Sequence, residues 1–463
     1  MPAPVCRVGF GRAVINPKPG VSLAGYFNPR FNTGVLDDLC VRVMLIESGS
    51  VTTGFISLDL ILVSEQLMDA IRAALRRAAL FFCEELPLAA THTHTAPDVG
   101  GIINEQHVDA AYRSFVAGRV VEACQAAVAD LYPAEILAAS VENNPFAFNR
   151  RYWMKDGSVV TNPGKRNPDI VKPEGPVDRE IQVVAVKRKG QIAGLVANIT
   201  NHTDTTGGDQ VSADWPGHLE RRVQELIGAP IPVISLIAPS GNINHFDVSH
   251  SGGQTSPEEA RRIGEGYAGI VAGLLKDLKP IQPDPVLFDL ETVNIPFRKI
   301  TEAQLAEARA VVAQAAQAGQ GDLTSEDLAK GNLAVKKFFA EQLIEYAKRA
   351  TPQGRDFDLA AIRLGQDLAI VFLPGEPFTE IGMAIKKASP FRHTLVSSLS
   401  NGECGYVPMK ECFARGGYEI LPVVGGGPAE DTCDVFIKVG RELLTRPVDE
   451  KAVRERQKRR AKR

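Results

Sequence analysis

Residues 88–101 read LAATHTHTAPDVGG: a short apolar run, two histidines one residue apart, then a proline and an acid. The chain holds only 8 histidines, so the pairing is informative. If the apolar run continues as a strand, alternate side chains share a face, and His92 and His94 point the same way. That arrangement suits a metal site. It suits a polar strand surface equally well, so the pair has to be read together with its surroundings.

Upstream, CVRVMLIE (40–47) and TTGFISLDLILV (52–63) are rich in β-branched and large apolar residues, with a turn at SGS between them. Ser64 then opens a helix whose Leu67, Ile71 and Leu75 lie along one stripe. The run LPLAATHTHT is a short strand, and residues 107–131 return to helical spacing. Farther on, REIQVVAVKRKGQIAGLVANITNH (179–202) predicts a hairpin turning at KRKGQ. Ser256-Pro257 followed by Glu258 and Glu259 marks a helix start. Thr301 and Gln304 form a capping box at the head of an Ala-, Glu- and Lys-rich stretch. That stretch reads as a helical insertion near 301–350, broken into two helices at AQAGQGD, after which mixed strands and helices return until about Arg446. No internal repeat and no long linker is evident. The expectation is an α/β chain: a single large catalytic domain over 1–450 with a mixed β-sheet and flanking helices. Two closely packed subdomains are the alternative.

The 463 residues are 44% hydrophobic and 23% charged, ordinary proportions for a globular protein with a substantial core. A net charge of -3 argues against a general binder of polyanions, and no nucleic-acid partner is expected. The last thirteen residues, KAVRERQKRRAKR, set eight Lys or Arg against one Glu; residues 451–463 read as a solvated, disordered basic tail. The 7 cysteines are scattered, odd in number and without a CxxC pair, which excludes a disulfide framework and a cysteine-rich zinc module. The opening MPAPVCRVGFGRAV lacks the pattern of a secretory signal, and no apolar run is long enough to span a bilayer. The expected compartment is the cytoplasm. The sequence says nothing about oligomeric state.

Four apolar runs end in polar groups. LPLAA leads into Thr91-His92-Thr93-His94, LVANIT into Asn201-His202-Thr203-Asp204, LAIVFLP into Gly375-Glu376-Pro377, and TLVSSL into Ser400-Asn401-Gly402-Glu403 with Tyr406 beyond. Binding and catalytic groups gather on loops at strand ends, where a rigid sheet positions them. Imidazoles and a carboxylate form a ligand set that Zn²⁺ accepts in hydrolytic sites.

These segments, in this order, resemble the catalytic domain of the neutral/alkaline non-lysosomal ceramidases, a family of zinc-dependent amide hydrolases. VGFGRAVINPKPGVSLAGY (8–26) is similar to the family's opening segment, followed by ISLDL around Asp59. ATHTHTAPDVGG (90–101) matches a family pattern close to ATHTHSGPGG. NHTD matches the second zinc-histidine segment and LPGEPFT the segment of the zinc glutamate. GYVPMKECFARGGYE places Tyr406 twelve residues before Tyr418, the family's separation between a metal-proximal tyrosine and a second active-site tyrosine.

The resemblance implies a Zn²⁺ cofactor held by His92, His202, Glu376 and Tyr406. It implies that His94 lies beside the metal as a proton-handling group, that Tyr418 stabilises the oxyanion, and that Arg150 or Arg151, in FNRRYW, is the active-site arginine. The departures carry information too. A Gly-Asp-Val-Ser-type loop of the family appears here as Gly241-Asn242-Ile243-Asn244-His245. Asn replaces the serine, which leaves zinc-activated hydroxide as the nucleophile and offers Asn242, Asn244 and His245 as contacts to a polar substrate group. Asp98 stands where the family has glycine and joins them as a charged substrate contact. Measured against that family, the chain is expected to lack the C-terminal β-sandwich and the leader.

The expected function is therefore a cytoplasmic zinc hydrolase that cleaves an amide, or alternatively an ester or lactone, in a small polar substrate. Ceramidase action on an N-acyl sphingoid lipid is one rival, and a catalytically degenerate ligand-binding relative is another. A metallo-β-lactamase fold is disfavoured because Asp98 is followed by Val99 rather than histidine. A TIM barrel is disfavoured because the helical insertion interrupts the regular βα units it needs.

Overall fold

Alternation of apolar side chains along the strands builds three sheets around one shared centre. The structure is a computed structural model that describes residues 6–26, 29–49, 51–100, 108–315, 331–350, 353–423 and 426–447. The first sheet carries the strands Arg7–Val14, Cys40–Ser48, Val51–Leu58 and Leu88–Ala90, the second Glu135–Glu142, Glu180–Arg188, Gln191–Ile199 and Val233–Ile237, and the third Val286–Ile295, Arg355–Leu364, Leu368–Phe372 and His393–Ser397.

In each sheet these strands lie in the same spatial order, fourth, third, second, first. The first three are antiparallel neighbours, and the fourth runs parallel to the third. A helix always connects third to fourth: Glu65–Arg77, Asp214–Ile227 and Thr379–Ala388. A second helix follows the fourth strand: Ala110–Ala129, Pro257–Leu274 and Thr432–Thr445. The molecule is thus three copies of one β-β-β-α-β-α unit, although the sequence shows no internal repeat. The recurrence is one of backbone topology. What each position requires is an apolar side chain of suitable size, which many residues supply, so pairing order repeats without repeating residues.

The alternation assigns the two faces of every sheet. Met44 and Ile46, Val184 and Val186, and Ala360 and Ile362 point into one common apolar centre. Their neighbours Val43 and Leu45, Val183 and Ala185 point outward against helices, as do Leu359 and Ala361. Phe55 and Phe372 meet in the centre with ring centroids 5.8 Å apart. Each large side chain buried this way contributes roughly 1.5–3 kcal/mol. Burial on both faces explains why the strands read as continuous apolar runs.

Local signals are realised where they were read. The Ser64 hydroxyl caps its helix by accepting from Leu67 N, Ser256 caps the next with Pro257 in its first turn, and the Thr301–Gln304 capping box is complete. The hairpin turns at Lys189 and Gly190, both with positive φ, the geometry that a two-residue turn between twisted strands requires. The insertion appears as the helices Glu302–Gln314 and Leu333–Arg349. The AQAGQGD break between them and the basic tail at 451–463 lie outside the described residues.

Hairpins turn at one end of each unit, so the other end receives three connections: the excursion between first and second strands, the segment after the third strand, and the segment after the fourth. These ends converge. Ser398 N donates to Ile237 O at 2.8 Å, Ala90 N to Leu399 O at 3.1 Å, and Asn401 N to Leu88 O at 2.8 Å. The candidate site lies there.

Candidate metal centre

The histidine pair does not sit on a strand. The strand ends at Ala90, and His92 takes a left-handed backbone conformation, φ 66°, so strand alternation is not what brings the rings together. A left-handed conformation costs a non-glycine residue roughly 1–2 kcal/mol, and residues held there cluster at functional sites. It is held by Thr91 N donating to Leu58 O at 2.9 Å and His92 N to Leu60 O at 2.8 Å. The turn swings both rings toward His202, which follows the third strand of the second unit. Thr203 Oγ1 donates to Thr91 O at 2.6 Å and Trp215 Nε1 to His202 O at 2.8 Å, clasping the two histidine loops together.

His92 Nδ1 donates to Ile61 O at 2.6 Å and His94 Nδ1 to Gly25 O at 2.8 Å. These carbonyl bonds fix the ring protons on Nδ1 and leave the lone pairs on Nε2. The Nε2 atoms form a near-equilateral triangle: His92 to His202 3.1 Å, His94 to His202 3.1 Å, His92 to His94 3.4 Å. A tetrahedral ion with metal–nitrogen bonds of about 2.0–2.1 Å separates its ligands by about 3.3 Å. His202 Nδ1 is buried without a partner; with its proton there, three Nε2 lone pairs converge and a cation between them relieves their repulsion, and Glu376 Oε2, buried without a hydrogen-bond partner, comes within 3.3 Å of His92 Nε2. The residues present fit a metal. Among the described residues these three histidines form the group whose ligand atoms are close enough to hold one.

Glu376 reaches the site from the segment after the third strand of the last unit, where Glu376–Pro377 pairs in parallel with Tyr406–Val407 and sets Glu376 opposite Tyr406. Gly25 is constrained as well, because a Cβ there would lie 2.7 Å from the His94 ring. Burial, reinforced by the charge of His92, holds His94 and His202 well below the usual imidazole range, so both are neutral and available as ligands. Burial opposes ionisation of both members of the His92–Glu376 pair, but their mutual attraction raises the imidazole and lowers the carboxyl.

Arg150 enters from the excursion of the second unit. Its Nε donates to Glu419 Oε1 at 3.1 Å and its Nη2 to Gly241 O at 2.6 Å, and its guanidinium lies 5.3 and 5.1 Å from the Tyr406 and Tyr418 ring centroids. The two phenol oxygens are 3.3 Å apart. Arg151 points away into a buried lattice with Glu174, Glu419 and Gly416 O, so Arg150 is the arginine on the cavity wall. Glu419, fully buried, bridges both guanidiniums and fixes Arg150 beside the tyrosines.

The site opens onto one cavity of about 350 Å³. His92, His94, His202, Glu376, Arg150, Tyr406, Tyr418 and Asn244 line it. Asn244 donates to Asn162 Oδ1 at 2.8 Å, and Asn162 shares the wall. Asn242, His245 and Asp98 are placed behind it. Asn242 accepts from Thr379 N at the start of a helix and donates to Glu380. His245 Nε2 donates to Gln254 O, and Asp98 accepts from Gly100 N. Tyr26, Asp204, Glu403, Phe246, Phe338 and Phe339 also line the cavity, and sequence reasoning assigned them no role. Asp204 and Glu403 fell inside the polar strand ends already singled out. Phe338 and Phe339 gave no signal, being an aromatic pair in an otherwise ordinary helical stretch.

No family model matches the sequence, and no curated protein matches it. Among solved structures, the chain superposes on a ceramidase-like α/β fold. Neutral ceramidase from Pseudomonas aeruginosa matches with a TM-score of 0.69 and 17% identity over 98% of this chain and 75% of that one. A ceramidase complexed with C2 matches with the same TM-score and identity, over 98% and 76%. At that identity the shared property is the fold.

Proposed function

We propose that the protein is a metal-dependent hydrolase of the ceramidase-like family, cleaving an amide bond, with ester and lactone as alternatives, in a compact substrate. One observation carries this reading: the Nε2 atoms of His92, His94 and His202 converge within 3.4 Å of one another on a cavity that Arg150, Tyr406 and Tyr418 also face. His92, His202 and Glu376, with Tyr406 next to Glu376 in register, would hold Zn²⁺. Bound there, zinc supplies Lewis-acid polarisation of a carbonyl oxygen and acidifies a water molecule toward neutrality.

The chain's own residues then divide the work. The Arg150 guanidinium provides a fixed positive charge at the position where negative charge develops. Burial pushes the Tyr418 phenol up, so it stays protonated and donates to the same oxygen. His94, neutral because burial depresses it, accepts the proton of an attacking water and passes it to the leaving group. Its Nδ1 is committed to Gly25 O, so only Nε2 serves, and His94 cannot be a metal ligand and a proton carrier at once. Metal content of His94→Gln separates them: unchanged stoichiometry with lost turnover identifies the carrier, lost metal the ligand.

The cavity lies at the small end of the roughly 300–1,000 Å³ common for ligand sites, which favours a compact substrate over a two-chain lipid. Elemental analysis of purified protein and turnover of short N-acyl amides, before and after chelation, test the proposal. Turnover that persists in metal-free protein sinks it.

A further inference from the structure

Glu403 lines the cavity and has no part in the chemistry above. Its Oε1 accepts from Gly405 N at 2.5 Å. Among the described residues no Lys, Arg or His lies within ion-pair distance of its carboxylate. Arg150, across the cavity, is already engaged by Glu419. Asp204 lines the same cavity and accepts from the Tyr26 hydroxyl at 2.9 Å, with His94 Nδ1 3.6 Å from the same oxygen.

The same cavity also has an aromatic lining. Phe338 and Phe339 have ring centroids 5.3 Å apart, Phe339 and Tyr418 6.2 Å, and Tyr418 and Tyr406 5.6 Å, a continuous run of rings. Tyr26 and Phe246 add further rings to the lining. Ring faces attract cations, and aromatic walls joined to a carboxylate are how proteins hold substituted ammonium groups. Glu403, with no cation of the chain at ion-pair distance among the described residues, and the rings of the same cavity can therefore receive a positive charge from a ligand. The scissile amide nitrogen is uncharged, so that charge must sit elsewhere on the substrate.

We infer that Glu403 is a specificity-determining residue that receives an ammonium group, and that the substrate is a compact acylated amine carrying a second, cationic nitrogen. This rests on the hydrolase reading of the same cavity. It also separates the substrate class from ceramides, which carry no such charge.

The test compares two amides of similar size, N-acetyl-1,4-diaminobutane and N-butylacetamide, on the zinc-loaded protein. Kd by calorimetry and kcat/KM are measured for the wild type, Glu403→Gln and Glu403→Asp. The expected result is at least about tenfold tighter binding of the cationic amide by the wild type, a gap of about 1.4 kcal/mol. Glu403→Gln brings the ratio of the two Kd values to within about twofold, and Glu403→Asp restores most of it. Equal affinities in the wild type, or a preference that persists in Glu403→Gln, overturn the inference. Binding preference without turnover of either amide leaves the inference standing and removes the amide-hydrolase reading. Turnover without preference does the reverse.

Discussion

His92 combines a left-handed backbone with an Nε2 lone pair aimed at two other imidazoles. On the proposed metal reading, replacing it by Ala would remove a ligand and leave the turn without an anchor. Metal affinity should fall by more than the roughly 10–100-fold that loss of an outer-shell partner costs, measured by competition with a chromophoric chelator. Titration gives a second prediction. His94 and His202 have folded pKa values below the unfolded value of about 6.5. Below that pH the unfolded chain binds more protons, so unfolding gains on acidification. Glu376, also depressed, acts in the same direction at lower pH, whereas His92, raised by Glu376, opposes it. Denaturant midpoints of metal-free protein should drop as pH falls from 7 toward 5, and His202→Gln should flatten the slope. Glu419 yields a third. Fully buried between Arg150 and Arg151, its change to Gln leaves two guanidiniums undercompensated and should cost about 3–5 kcal/mol of stability, readable by urea unfolding.

Strands, hairpin and helix caps follow from local rules, which is why they were legible. β-branched and large apolar content marks the strands, and Ser64, Ser256 and Thr301 announce the helices they cap. The exception at this scale is Leu88–Ala90. The strand stops before the histidines because Thr91 and His92 turn to bond Leu58 O and Leu60 O, a tertiary demand that alternation does not contain. Contact between elements is tight where the first strand meets the helix Ala110–Ala129: a Cβ on Gly11 would lie 1.9 Å from Ala123 O. Gly11→Ala must push that helix away, at roughly 1–3 kcal/mol. The helix packs behind the sheet, so a thermal melt should record the loss while kcat stays at the wild-type value.

At the scale of the molecule, three units with the same strand order place equivalent connections around one cavity. The first unit supplies His92 and His94, the second His202 and Arg150, the third Glu376, Tyr406 and Tyr418. A metal at their junction, as proposed, would tie all three together. At about 1,000 times its Kd such an ion adds roughly 4 kcal/mol, so chelation should lower Tm by several degrees in scanning calorimetry. An unchanged Tm would count against a site shared by the units.

The sequence by itself determined the chemistry on offer: imidazoles, a carboxylate and tyrosines at the ends of apolar runs, in an order that resembles one family of hydrolases. Those properties are local, since residue type and strand propensity are written position by position. Tertiary structure decided everything that depends on distance. It turned His92 and His94 onto His202, chose Arg150 over Arg151 for the cavity wall, and drew Asn242, His245 and Asp98 behind it. It also brought Phe338 and Phe339 from a distant helix onto the cavity that Glu403 lines. Convergence of this kind is set by how three sheets share one apolar centre, and no stretch of sequence contains that relation.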